Sequence, residues 1–219
     1  MVVENTVGVR RQVTDPMLEA ALRYADERHW DVLAGARLVE DGGTLRCSCG
    51  RVPCPAPGAH PVEPGWADRA SGSTVEVHRM WRERPGSSVL LPAGRSFDAV
   101  DVPEAAGFLA LARMERTELP AGPVLCSPKR RLVFLVLPGA TARVPALLRA
   151  LGRSASSLDL VVRGEGDYVP APPTRVGTSG PVQWARPLTA SNRWLPDVGE
   201  LLGPLAYACG REAAAARAR

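Results

Sequence analysis

The sequence predicts an α+β domain built around a mixed or antiparallel sheet flanked by helices. Three observations predict it. Helix-start signals recur along the chain, short apolar runs stand between them, and glycine and proline punctuate the junctions. Hydrophobic residues make up 45% of the 219, enough for a core, and no internal repeat is visible.

The elements follow in order. Residues 1–13 show no period and are expected to fray. Asp15 as N-cap and Pro16 at the first helical position open a helix in which Met17, Leu18, Ala21, Leu22 and Ala25 recur at helical spacing, ending near Arg28. A first strand lies within 30–38, anchored by Val32, Leu33 and Leu38, and Glu40-Asp41-Gly42-Gly43 turns the chain. Ser73 and Glu76 have capping-box spacing for a helix to Arg84 that buries Val77, Met80 and Trp81, and Pro85-Gly86 stops it. Strands at 88–91 and 96–102 are expected to form a hairpin across Ala93-Gly94-Arg95. Pro103-Glu104 then opens a helix through Arg116 with Phe108, Leu109, Leu111 and Ala112 buried.

Two strands, 124–127 and 132–137, flank the basic turn Pro128-Lys129-Arg130-Arg131. Thr141 is the expected N-cap of a helix to Leu151. A strand at 158–162 carries Asp159, another at 168–171 is stopped by Pro172-Pro173, and the last spans 182–185. Pro196 to about Arg217 reads as helix interrupted at Gly203-Pro204. The chain divides into a domain at 14–190, with a Cys/His loop at 47–61 inserted, and a C-terminal helical extension at 191–219.

Composition narrows the function. No apolar run approaches the length needed to cross a bilayer, and the N-terminus lacks the apolar centre of a signal peptide. Five cysteines, an odd count with three clustered, argue against a disulfide framework. A cytoplasmic, reduced protein with no membrane contact is expected. The formal charge of +4 permits nucleic-acid contact without requiring it. Lys129 is the only lysine among the basic residues, a mark of coding bias that weakens charge as evidence about partners. Aromatics are only 5%, which leaves base stacking to Trp66, Trp81, Trp184 or Trp194, each plainer as a packing residue. The phosphate-binding patterns G-x-x-x-x-G-K-[ST] and G-x-G-x-x-G are absent, as is the nucleophile elbow G-x-S-x-G. His29 and His78 read as surface histidines, and Cys126 and Cys209 as small buried hydrophobes.

The most informative stretch is CSCGRVPCPAPGAHP, residues 47–61. Cys47, Cys49, Cys54 and His60 follow C-x-C-x4-C-x5-H, and three thiolates with one imidazole fill a tetrahedral zinc shell. Its prolines block helix and central strand, so a structural Zn2+ would organise a segment that has little apolar material of its own. The alternative is a surface loop with free thiols.

Carboxylates provide the other chemistry. Asp98 and Asp101 lie on one strand and Asp159 on another. Acids converging across a sheet can hold Mg2+ or Mn2+, and a pair of such ions can clamp a phosphoryl transfer. Lys129, Arg130 and Arg131 would then meet nucleotide or backbone phosphates. On spacing alone, solvated strand-end acids and an exposed basic turn are the plainer reading.

The ordered set of features resembles the N-terminal domain of bifunctional DNA primase/polymerases, the prim-pol family of the archaeo-eukaryotic primase superfamily. ALRYADERHWDVL is similar to that family's opening helix, and CSCGRVPCPAPGAHP to its C-x-C…C-x-x-PG-x-HP segment. MWRERPGSSVLLPAG resembles its helix, tryptophan and glycine-ended strand. SFDAVDVPEAAG stands where it places D-x-D or D-x-E, and SSLDLVVRGEGDYVPAPPTRVGTSGPVQW resembles its third motif. The likeness spans roughly residues 17 to 187.

The resemblance implies a prim-pol fold and a nucleotidyltransferase acting on single-stranded DNA and nucleoside triphosphates with Mg2+ or Mn2+. Asp101 matches the first acid of motif one and Asp159 the acid of motif three. The second acid of motif one falls on Pro103, with Glu104 one residue late and Asp98 three early. Motif two, H-x-x-F in the family, reads Arg131-Leu132-Val133-Phe134 here, with arginine in place of the nucleotide-contacting histidine. Proline cannot coordinate a metal, so the expectation is a domain that binds nucleotide or nucleic acid with an impaired catalytic centre. An active primase using Asp101, Asp159 and Asp98 or Glu104 is the first alternative. A zinc-stabilised protein-interaction module is the second. No helicase follows, so any replication partner is expected to be a separate protein.

Overall fold

The structure is a computed structural model that describes residues 15–218; the expectation of a frayed 1–13 lies outside the described residues. The first helix, α1 (Pro16–Arg28), begins as predicted, with the Asp15 carboxylate accepting the Met17 N–H at 2.9 Å. Its second oxygen accepts the Gly86 N–H at 2.9 Å, which ties the helix start to the turn after α2 (Thr74–Glu83). Ser73 is the N-cap of α2, but its side chain makes no capping bond, so the capping box is not formed.

Three antiparallel sheets are present among the described residues. The small sheet joins β1 (Leu33–Ala34), β4 (Val89–Pro92) and β9 (Tyr168–Pro170) in the order β1-β4-β9. A hairpin is formed by β2 (Leu38–Asp41) and β3 (Thr44–Cys47). The large sheet joins β5 (Asp98–Pro103), β6 (Val124–Ser127), β7 (Arg131–Val136), β8 (Val161–Arg163) and β10 (Gln183–Arg186) in the order β10-β6-β7-β5-β8.

The predicted hairpin of the strands at 88–91 and 96–102 is therefore not made. β4 pairs with β1 and β9, while β5 pairs with β7 and β8. Gly94, at φ +100°, turns the chain from one sheet to the other. A Cβ there would lie 2.5 Å from the Glu165 backbone, so the turn also admits the β8–β9 connection beside it.

Strand parity assigns the faces of the large sheet. Ala99 shares a face with Leu125, Val133 and Leu135, packed into a core with Tyr24, Trp30, Trp81 and Phe97, and Asp101 lies on the same face beyond them. Val100, Val102, Leu132 and Phe134 face a second core. That core is closed by α3 (Glu104–Arg116), α4 (Ala140–Ala150) and α5 (Val198–Arg217), which contribute Met114, Leu148, Leu201 and Leu205. Gly107 lets α3 lie directly on β7, since a Cβ there would meet the Leu132 Cβ at 2.6 Å.

Several local expectations are corrected by this packing. On α3 the buried face is Ala106, Ala110, Leu111 and Met114, while Phe108 and Leu109 are exposed, because the close approach at Gly107 rotates the small residues inward. The N-cap of α4 is Gly139 rather than Thr141. The Asp98 carboxylate caps the helix from a distant strand, its Oδ2 accepting the Gly139 and Thr141 N–H groups at 3.0 and 3.3 Å. Asp159 precedes its strand instead of lying on it: Ser156–Leu158 is a 3-10 turn, Asp159 adopts φ +48°, and β8 starts at Val161. Leu158, buried in the second core, pins that turn. Helix α5 runs unbroken through Gly203-Pro204.

Tyr24 makes a testable contribution to this frame. It is buried and donates to the Pro172 carbonyl at 2.8 Å, and burial pushes its phenol up from 10.0 to about 12. The folded protein holds that proton more tightly than the unfolded chain does. The stabilisation is complete below about pH 10 and is lost as pH rises toward 12, by about 2–3 kcal/mol. Tyr24→Phe is expected to lose about 1 kcal/mol at neutral pH, from the hydrogen bond, and to show a flatter decline between pH 10 and 12 in denaturant titrations. An unchanged alkaline slope would contradict this.

Candidate functional site

Two constellations converge at one mouth of the structure. The first is the loop after β3. Cys47, at the end of that strand, lies with Cys49, Cys54 and His60 so that their four ligand atoms are all within 4.8 Å of one another. Cys47 Sγ is 3.3 Å from His60 Nε2. His60 Nδ1 is 2.7 Å from the Pro61 carbonyl, which can only accept, so Nδ1 carries the proton and Nε2 presents its lone pair to the cluster. The Gly58 N–H donates to Cys47 Sγ at 3.3 Å and the Arg51 N–H to Cys49 Sγ at 3.4 Å. The Arg51 amide is the main cause that brings the Cys49 thiol down to about 7, while burial pushes Cys54 up to about 11. The four residues are positioned to hold a metal ion, and the donor set is consistent with zinc. Gly58, at φ +72°, is obligatory, since a Cβ would strike the Leu38 side chain at 2.6 Å.

The second constellation is a cleft of about 220 Å3 between the large and small sheets. Its floor is the face of β5, β6, β7 and β8. Asp101, 5% exposed, is flanked by an arginine on each neighbouring strand. Arg131 Nε donates to Asp101 Oδ1 at 2.6 Å, and Arg163 donates to Oδ2 through its terminal nitrogen at 2.7 Å and its Nε at 3.3 Å. Arg131 also reaches Asp159, donating to Oδ2 at 2.6 Å and to the carbonyl at 2.8 Å. Burial pulls the Arg131 guanidinium down, but hydrogen bonds and charge from Asp101, and then Asp159, outweigh it and leave its pKa above the ordinary arginine value. The opposite wall is Tyr168 to Pro170 of β9, and the metal loop contributes Ala56 and Ala59.

The two constellations are tied together. Lys129, which lines the cleft, donates from Nζ to the Pro55 carbonyl at 2.7 Å, and the Gly177 N–H donates to the Pro57 carbonyl at 2.8 Å. The loop that holds the metal ligands is therefore also a wall of the cleft.

Of the predicted site residues, the structure brings Asp101, Asp159 and Arg131 into one network, with Lys129 at the rim. It does not bring Asp98 or Glu104 there. Asp98 is on the opposite face of β5 beneath α4, and its Oδ1 is buried without a hydrogen-bond partner among the described residues. Glu104 accepts from Cys126 Sγ at 3.6 Å and pairs with Arg130 at 3.6 Å. Arg130, 84% exposed at its side chain, turns outward. Sequence reasoning missed Arg163. Its signal was a lone charge ending the apolar run Leu160-Val161-Val162 just before a glycine turn, where a buried charge demands a partner.

No curated protein and no solved structure matches the chain. The sequence model of one family, described as bifunctional DNA primase/polymerase, N-terminal, matches residues 21–194, a span that holds the metal loop, all four strands of the cleft floor and β9. With four fifths of its length inside that match, the chain belongs to the bifunctional DNA primase/polymerase N-terminal domain family.

Proposed function

We propose that the protein is a primase/polymerase-like domain that binds nucleotide or nucleic acid in the Asp101 cleft, with an impaired nucleotidyl-transfer centre and a structural zinc in the Cys/His loop. One observation carries this reading: both oxygens of Asp101 are engaged by guanidiniums from the two flanking strands. Arg131 stands where the family resemblance places the histidine of motif two, and Arg163 sets a second cation on the other side of Asp101. Pro103, facing the same way as Asp101, offers no side-chain oxygen. The Lys129, Arg131 and Arg163 charges suit a phosphate chain. If Mg2+ or Mn2+ binds, Asp101 and Asp159 would hold it, and it would supply charge stabilisation for phosphoryl transfer.

The test is primer synthesis and primer extension on single-stranded DNA with Mn2+ and then Mg2+, beside an Asp101→Asn control verified as folded. No incorporation above the control is expected. Nucleoside triphosphate should nonetheless bind, and Arg131→Ala should weaken that binding about tenfold, as loss of a charged hydrogen-bond donor to phosphate. Incorporation that vanishes in the control would overturn the impairment and favour an active enzyme. That second reading has one observation behind it: Asp101 and Asp159 share Arg131, so an arriving triphosphate that drew the guanidinium away would free both carboxylates together.

A further inference from the structure

We infer that Tyr168 is the residue against which the nucleobase of a bound nucleotide packs, which makes the cleft a nucleoside site and not a general polyphosphate site. The inference rests on the reading above that Arg131 and Arg163 receive phosphates.

Tyr168 and Arg163 line the same cleft from opposite sides, one on the small sheet and one on the large. Only the turn Gly164–Asp167 separates them. That turn is fixed: the Asp167 N–H donates to the Gly164 carbonyl at 2.9 Å, and the Ala93 N–H donates to the Asp167 carbonyl at 3.0 Å. Gly94 accommodates its backbone from behind. The span from cationic floor to aromatic wall is therefore set by the fold and not by a flexible loop.

The ring is also held. Trp66 meets it edge-on, with centroids 5.6 Å apart and planes at 82°. Tyr168 is half-buried and lies at the boundary between the cleft and a second depression, of about 380 Å3, formed by the metal loop around Cys54, His60 and Trp66. An aromatic side chain whose position is fixed by another aromatic, and which stays partly open beside paired guanidiniums, has the makings of a base platform. Stacking on such a ring tolerates every base, because every base has a π-face. The tryptophans singled out from the sequence fare less well. Trp66 packs on Tyr168 itself, Trp81 is in the core, Trp184 packs against Tyr24, and Trp194, 86% exposed, does not line the cleft.

Calorimetric titration of the full zinc-loaded chain tests this, using a nucleoside triphosphate and inorganic tripolyphosphate as two probes. The variants are Tyr168→Phe, which keeps the ring, and Tyr168→Leu, which keeps apolar volume without it. Tyr168→Leu should lower nucleoside triphosphate affinity about tenfold and leave tripolyphosphate affinity unchanged, while Tyr168→Phe should match the wild type for both. Equal loss for both probes would reduce Tyr168 to a packing residue and overturn the inference. So would nucleoside triphosphate affinity that ignores Tyr168→Leu. Wild-type protein that binds neither probe would sink the functional reading itself, and this inference with it.

Discussion

Asp101→Ala is expected to destabilise the protein by about 2–4 kcal/mol, the range for removing one partner of a buried charge network. The carboxylate is almost fully enclosed, and its two arginines keep only 21% and 33% of their side-chain surface exposed. Without it, two guanidiniums aimed at one point would repel each other across a half-dry cleft. Arg131 would keep Asp159, but that carboxylate is 68% exposed and its attraction is screened. Asp101→Asn should cost nearly as much, because shape is preserved and charge is not. The double variant Asp101→Ala, Arg131→Ala should lose less than the sum of the singles. Urea denaturation reads all three. A loss under about 0.5 kcal/mol for Asp101→Ala would mean that the arginines are comfortably hydrated and that the network is a surface feature.

Loss of the loop metal is the second large effect. One zinc per chain is expected, and Cys47→Ser should reduce the stoichiometry to a trace. In small zinc folds the metal contributes about 10–16 kcal/mol of apparent binding free energy, most of it spent on ordering a segment that cannot order itself. The segment here fits that description, with Ala59 buried and Val52 91% exposed. Chelation should make 48–61 sensitive to protease while the two cores, to which that segment contributes only Ala59, keep their circular dichroism. Nucleotide affinity should fall with it, since Ala56 and the Lys129–Pro55 tie belong to the same loop. Full retention of both protease resistance and metal in Cys47→Ser would remove Cys47 from the ligand set.

How much of this was legible depended on whether the signal was local. The start of α1 was readable because Asp15 and Pro16 act within one helical turn. The metal cluster was readable because a ligand pattern is written in the spacing itself. The β4–β5 hairpin was misread because the short Gly94 turn looks the same whether the chain folds back or crosses between sheets; only distant partners, β9 for one strand and β7 for the other, decide. Asp98 and Asp101 looked like one acidic pair, yet three residues along a strand means opposite faces. The first caps a helix and the second meets two arginines. Asp159 was placed on a strand because its flanking leucines look continuous with β8, whereas Leu158 is drawn into the helical core and the chain turns left-handed after it.

Pro103 carries a consequence for how the site could change by substitution. Its position ends β5 opposite Arg131 and is also the N-cap of α3, where it supplies no side-chain bond. Aspartate would cap that helix better than proline does, so the fold sets no obstacle to an acid there. The obstacle is its neighbour: a carboxylate at 103 would arrive beside a guanidinium already shared by Asp101 and Asp159, and would join an ion-pair network instead of a metal shell. A route to a second acid beside Asp101 would therefore have to begin at Arg131, through an intermediate that leaves Asp101 with Arg163 alone. Changing position 103 first would entrench the arginine, and the order of the two steps decides whether the route is open.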